Sequence, residues 1–245
     1  MDKIDHLRNA YENFKNDETL VFEKIKSPDN RYHYIPTLEG YNIIMGLHAL
    51  YMENNLEKAK RYYYKAAHVA EYMSRVYDRR IVDSGINQIS YAMLSDNPEL
   101  IHRYTLLRNK VNHESGIGYN FTNSVQNILL NNWEKLDWNI HCLERLVKVP
   151  RFNGCEGVLP VLNGFKHKDQ KLITVGLKQL LATHKKRNND PLISRFFSTD
   201  TAGFCKLAWI KGYEIDLKSS FVPIELMPVK PLEHYEDYEF LNNKA

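Results

Sequence analysis

Between Leu56 and Tyr77 the residues Leu56, Ala59, Tyr63, Ala66, Ala70, Met73 and Tyr77 fall alternately three and four positions apart, the spacing that lines up one face of an α-helix. Three of the seven are alanines, so a neighbouring helix can approach closely on that side. The same rhythm returns at Trp133, Leu136, Ile140, Leu143 and Val147. It returns more weakly at Ile101, Tyr104, Leu107 and Val111, and at Ile173, Gly176, Leu180 and His184. Each of these helices follows a short polar elbow: Glu53-Asn54-Asn55, Ser95-Asp96-Asn97-Pro98, Asn131-Asn132 and Lys166-His167-Lys168-Asp169. Asn, Asp and Ser favour caps and turns because their side chains bond nearby backbone N–H groups. Pro98 suits a first helical position, whose N–H has no partner in the helix. The elbows are spaced by about 43, 35 and 36 residues, the period of stacked helical hairpins.

This pattern predicts an all-α fold of stacked antiparallel helical hairpins, solenoid-like, with about ten helices. They are placed near 3–15, 38–52, 56–77, 83–95, 98–112, 120–131, 133–148, 157–165, 169–185 and 200–211. Gly212 stands where a C-cap glycine belongs. The alternation of Tyr213-Glu214-Ile215-Asp216-Leu217 is that of one short strand. The end carries Pro223, Pro228 and Pro231 and reads as an extended tail. A single domain over 1–245 follows, with an N-terminal helix and loop (1–37), hairpins (38–212) and an acidic, aromatic tail (213–245). The alternative is a division near 150–156, at Pro150, Gly154 and Gly157.

Charge narrows the function. Lys and Arg number 33 against 30 Asp and Glu, a net +3, too slight for a dedicated nucleic-acid binder. Three cysteines, Cys142, Cys155 and Cys205, exclude a disulfide scaffold and suit a reducing compartment. The charged N-terminus has no signal-peptide core. The longest uncharged run, Ser115 to Trp133, is too rich in Asn to cross a bilayer. A cytoplasmic protein without a membrane association is therefore expected.

The charges are nevertheless sorted. On the other side of the 56–77 helix, Lys58, Arg61, Lys65, His68, Tyr72, Arg75 and Arg79 form a second three-four row. The row is either a solvated face or a dock for something anionic: an acidic protein patch, RNA, or this chain's own tail. The tail is its natural counterpart. From Pro223 to Ala245, Glu225, Glu233, Glu236, Asp237 and Glu239 stand against Lys230 and Lys244, five acids against two lysines for a net −3. Tyr235, Tyr238 and Phe240 lie among the acids, a composition suited to protein contact or to pinning the tail on the last hairpin. Lys58, Arg61, Lys65, Arg75 and Arg79, with Tyr235, Glu236, Asp237, Tyr238 and Glu239, are the candidate partner-binding residues. In Tyr62-Tyr63-Tyr64 three consecutive helical positions span about 200°, so Tyr63 can face the core while Tyr62 and Tyr64 cannot both do so.

Catalytic and metal motifs are sparse. No phosphate loop, Cys-x2-Cys pair or Gly-x-Ser-x-Gly elbow occurs, and Gly116-Ile117-Gly118 lacks the third glycine of a dinucleotide site. His113-Glu114 opens like a zinc-protease helix, but Gly118 stands near where the second histidine belongs. No metal site and no cofactor are expected. The string Arg108-Asn109-Lys110-Val111-Asn112-His113 resembles the Arg-polar-x3-His motif of the HEPN ribonucleases. That resemblance implies Arg108 on phosphate charge and His113 as proton shuttle. The plainer reading sets Arg108 and Lys110 in the last turn of a helix, where the dipole favours cations.

A second resemblance covers residues 40 to 241. The elbows Asp96-Asn97-Pro98-Glu99 and Asn132-Trp133-Glu134, the helix closing on Gly212, Tyr213-Glu214-Ile215-Asp216-Leu217 and Val222-Pro223-Ile224-Glu225-Leu226 resemble the Immunity 49 family of bacterial polymorphic toxin systems. The resemblance implies a non-enzymatic protein whose partner is a cognate toxin domain. Immunity proteins against nuclease toxins are often acidic, and the net +3 departs from that, leaving the toxin's chemistry open. The other classes are a HEPN-like ribonuclease using Arg108 and His113, and a helical-repeat scaffold.

Overall fold

The four polar elbows share one geometry. In the computed structural model, which describes residues 2–188 and 190–242, one residue of each elbow takes a left-handed backbone: Asn54 (φ 50°), Asp96 (60°), Asn131 (57°) and Lys168 (56°). The next residue caps the following helix. Asn55, Asn97, Asn132 and Asp169 accept from the N–H groups of Lys58, Leu100, Lys135 and Leu172 at 2.8–3.2 Å. At three elbows the capping residue's own N–H turns back to the previous helix, from Asn55 to the Ala49 carbonyl, Asn132 to Asn127 and Asp169 to Gly164. Asn and Asp tolerate this conformation better than other residues with a Cβ, so the elbow composition follows from its backbone.

Among the described residues the chain is all-α, with α-helices α1 Lys3–Lys24, α2 Pro28–Tyr51, α3 Leu56–Tyr77, α4 Asn87–Leu94, α5 Pro98–Leu106, α6 Ile117–Leu129, α7 Trp133–Leu146, α8 Val158–His167, α9 Gln170–Ala182, α10 His184–Arg187, α11 Thr199–Ile210 and α12 Glu239–Asn242. From α1 to α9 each helix packs on its successor. The most extensive pairing, α2 on α3, brings the Gly46 backbone so close to Tyr63 that a Cβ there would meet the ring at 2.5 Å. To this stack α11 adds something the repeat does not contain: it returns to pack on α4, with further contacts to α6 and α9. Thr201 to Ala208 are all buried, the signature of a helix surrounded on every side.

Several expectations are corrected. The N-terminal 1–37 region is not a helix and loop: α1 runs to Lys24 and α2 starts at Pro28, with Pro36 inside it. An internal proline costs a helix about 3 kcal/mol, which the adjacent burial of Ile35 and Leu38 offsets. The helix expected over 98–112 stops at Leu106, because the Asp78 and Asp83 carboxylates bind the N–H groups of Lys110 and His113 in a loop. Tyr213–Leu217 alternates in burial, as its pattern requires, but pairs with no strand among the described residues. Ile215 and Leu217 are buried, and the Ile215 carbonyl accepts from Trp209 Nε1 of α11. The sole bridge among the described residues is Ser219 to Val222. The described part of the tail is mostly extended and includes α12; Lys244 lies outside the described residues.

The uncharged run becomes α6, buried from Tyr119 to Ile128. Its amides form a closed network: Asn127 donates to Asn139 (2.7 Å) and Asn123 (3.0 Å), Asn139 to Asn120 and Asn123, and Asn123 to Gln126. Gln126 in turn donates to the carbonyls of Tyr104 and Leu107, tying α6 and α7 to the end of α5. A buried polar network of this kind stabilises when its members are satisfied.

Candidate partner-binding surface

The basic row and the acidic tail, read as two surfaces, meet each other. The tail crosses α3 and enters the groove between α1 and α2. Asp237 Oδ2 lies 2.6 Å from His68 Nδ1 and accepts from the Tyr64 hydroxyl at 3.3 Å. Glu236 lies 3.7 Å from Lys65, whose ammonium also sits 5.2 Å from the centre of the Tyr238 ring. The Tyr238 hydroxyl donates to Glu18 at 2.6 Å and accepts from Asn42 at 2.7 Å. Burial and the Glu18 carboxylate hold that phenol far above its ordinary range, so it acts only as a neutral hydroxyl. Tyr235 stacks obliquely on Tyr64 and donates to the Ser95 carbonyl. Tyr238 and Leu241 complete a small apolar cluster with Val21, Ile25, Ile35, Leu38, Val69 and Met73.

Among the described residues the remaining cations of the row form no ion pair with the tail. Lys58 pairs with Glu53 (2.8 Å), Arg61 with Glu57 (3.8 Å), Arg79 with Glu39 (2.9 Å) and Arg75 with Glu71 (3.7 Å). Glu71, off the row in the sequence, is a buried hub that also accepts from Arg103 at 2.8 Å. Burial raises the Glu39 carboxyl, while Arg79 and Gln88 pull it back. Arg75 keeps 64% of its side chain exposed, and Glu233, Glu236 and Glu239 face outward along the tail. Tyr63 is the buried member of its triplet.

Sequence reasoning missed what anchors the root of the tail. Asp96 bridges two buried lysines, Lys60 at 2.7 Å and Lys206 at 2.6 Å. Lys206 also donates to the carbonyls of Leu226, Met227 and Pro228, and Lys60 to that of Lys230. Burial pulls the Lys206 ammonium down to about 8, against the opposing pull of Asp96. The only sequence sign was a lysine inside an otherwise apolar helical run.

No protein-family model, curated protein or solved structure matches this chain.

Arg108 and His113 sit on the loop after α5, not on a helix. Arg108 donates to the Leu107 carbonyl and to Gln126 Oε1 at 2.7 Å, and His113 is held through its backbone by Asp83. Among the described residues no cluster of three or more His, Cys, Asp or Glu could hold a metal, and no helix is long and apolar enough to cross a membrane. Cys142, Cys155 and Cys205 are free thiols; burial pushes Cys155 up to about 11.

The most exposed large aromatic surface lies on α7. Leu136, Ile140 and Leu143 face the core, but Trp133 is 37% exposed, not part of the buried face its spacing predicted, and Trp138 is 61% exposed. Trp138 lies two positions from both Leu136 and Ile140, hence on the opposite side of the helix. Its ring centre is 6.4 Å from that of His141; Glu134, Asp137 and Arg145 are exposed charges on the same helix, Asp137 being paired with Lys166 at 2.6 Å.

Proposed function

We propose that this chain is a non-enzymatic immunity protein that binds and neutralises a cognate toxin domain. The observation that carries the reading is Trp138, a large aromatic 61% exposed to solvent on a helix, with exposed charged residues on the same helix. Interfaces concentrate their binding energy in a few such aromatic anchors, surrounded by polar groups that exclude water. Trp133 belongs to the Asn132-Trp133-Glu134 elbow of the Immunity 49 resemblance, which supports the same reading. Because Lys65, Glu236, Asp237 and Tyr238 are engaged within the fold, the charged groups left for a partner are the outward ones, Arg75 and Glu239. Charges of that kind steer encounter more than they add affinity.

The test is co-expression with the toxin-domain protein encoded beside this gene. The pair is expected to co-purify, and Trp138→Ala to weaken the complex by at least about 2 kcal/mol, roughly thirtyfold, with an unchanged circular dichroism spectrum. Failure to co-purify, or equal affinity of wild type with both Trp138→Ala and Trp133→Ala, overturns the proposal.

A further inference from the structure

A cleft of about 260 Å³ opens where the loop after α7 and the short α10 approach the starts of α4 and α6. Its charged lining is Arg151, Lys186 and Arg187 against Asp200, three cations to one acid, a net +2 in a chain whose whole net charge is +3. Asp200 is already committed to Arg187, whose side chain is only 8% exposed and donates also to Gly154, Thr183 and Leu180. Arg187 is thus a rigid positive floor. The other two cations are free of carboxylates among the described residues: Arg151 lies over the Phe152 ring at 4.6 Å, and Lys186 reaches the neutral amide of Asn153 at 3.2 Å.

We infer that this cleft binds the phosphate group of a small phosphorylated molecule. Cations converge on it from separate segments of the chain, and among the described residues only Arg187 has a carboxylate partner, leaving Arg151 and Lys186 unbalanced. Water-exposed lysines gain little from sharing a confined space, so a net positive cleft of this size suits an anion that can accept from several donors at once. The starts of α4 and α6, at Asn87 and Ile117, also line the cleft, where the positive ends of the helix dipoles favour an anion. The volume is just below the roughly 300–1,000 Å³ of drug-sized sites, which fits a phosphate or diphosphate head. Ile86, Ile117, Phe121 and Phe152 offer an apolar wall to whatever organic part the ester carries.

Pyrophosphate and adenosine monophosphate, titrated into the full chain at constant ionic strength, provide the test. Both are expected to raise the melting temperature saturably and to shift the backbone amide resonances of Asn87 and Gly118, while chloride does neither. A tighter response to the nucleotide assigns the apolar wall to the ester; equal responses assign the site to the phosphate alone. Arg151→Gln with Lys186→Gln, both solvent-facing, should weaken binding about a hundredfold, roughly tenfold for each lost charge-assisted contact. The inference fails if the double variant responds like wild type, if the shifted amides lie elsewhere, or if a single-stranded RNA binds through these residues and the small phosphates do not. The amide map is read on the wild-type chain, so it decides the matter even if the variant folds poorly.

Discussion

Asp96 carries two tasks that conflict in most residues. Its backbone is left-handed at the elbow before α5, and its carboxylate, fully buried, holds Lys60 and Lys206 together. Two ammonium groups in an apolar interior are tolerable only because one carboxylate and four tail carbonyls share them. Asp96→Asn keeps the left-handed tolerance and the shape but removes the charge, leaving two buried cations facing each other. The expected loss is about 3–5 kcal/mol, the cost of breaking a buried pair from one side, read from urea unfolding. A loss under about 1 kcal/mol would mean that the carbonyls alone hold the lysines. The outward side chain of Trp138 makes the opposite case: its truncation should leave stability unchanged, because its role lies outside the fold.

Helix existence was legible wherever periodicity and caps agreed: α3 was placed at Leu56–Tyr77, where it lies, and the elbows fixed the starts of α5, α7 and α9 to within a residue. What could not be read was which helix lies in the middle. The apolar face of α11 has no polar opposite, and a helix buried all round gives no moment from which to orient it. The second half of α1 and the start of α2 were missed because their faces are largely polar and interrupted by Pro28 and Pro36. The candidate site was half legible: row and tail were both found, but a single sequence has no means of showing that they fill each other's charges across about 170 positions. The α4–α11 crossing depends on Gly203, where a Cβ would fall 1.9 Å from Ser90 Oγ and 2.6 Å from its Cβ. Gly203→Ala should therefore cost about 1–3 kcal/mol by overpacking, although alanine is the better helix former. Ser90→Gly alone should cost about 1 kcal/mol, and the double variant should be no less stable than Ser90→Gly. That favourable coupling is the measurement; additive losses would show that the two helices have room to separate.

Taken together, the molecule has two apolar clusters of very different size. The larger gathers side chains from Leu7 to Met227, including all of the α4–α11 crossing. The smaller joins α1, α2 and α3 to the tail through Tyr238 and Leu241. The tail is held in each: the Lys60–Asp96–Lys206 clamp fixes residues 226–230 to the large cluster, while Glu18, Asn42 and His68 fix 237–238 to the small one. An element pinned at its root in one cluster and at its end in another can open at the end without unfolding the rest. Tyr238→Phe isolates that end, since the ring still fills its place while Asn42 and Glu18 lose their shared hydroxyl, at a cost of about 1–3 kcal/mol. Amide exchange in residues 232–241, in the α1 segment around Val21 and Ile25, and around Val69 and Met73 of α3 should then quicken by about 5- to 150-fold. Amides of α4, α6 and α11 should keep their wild-type rates, because their protection reports the large cluster. Equal acceleration throughout would mean that both clusters unfold as one unit and that the tail is an integral wall of the fold; confinement to the small cluster would establish it as a strap whose outer half opens on its own.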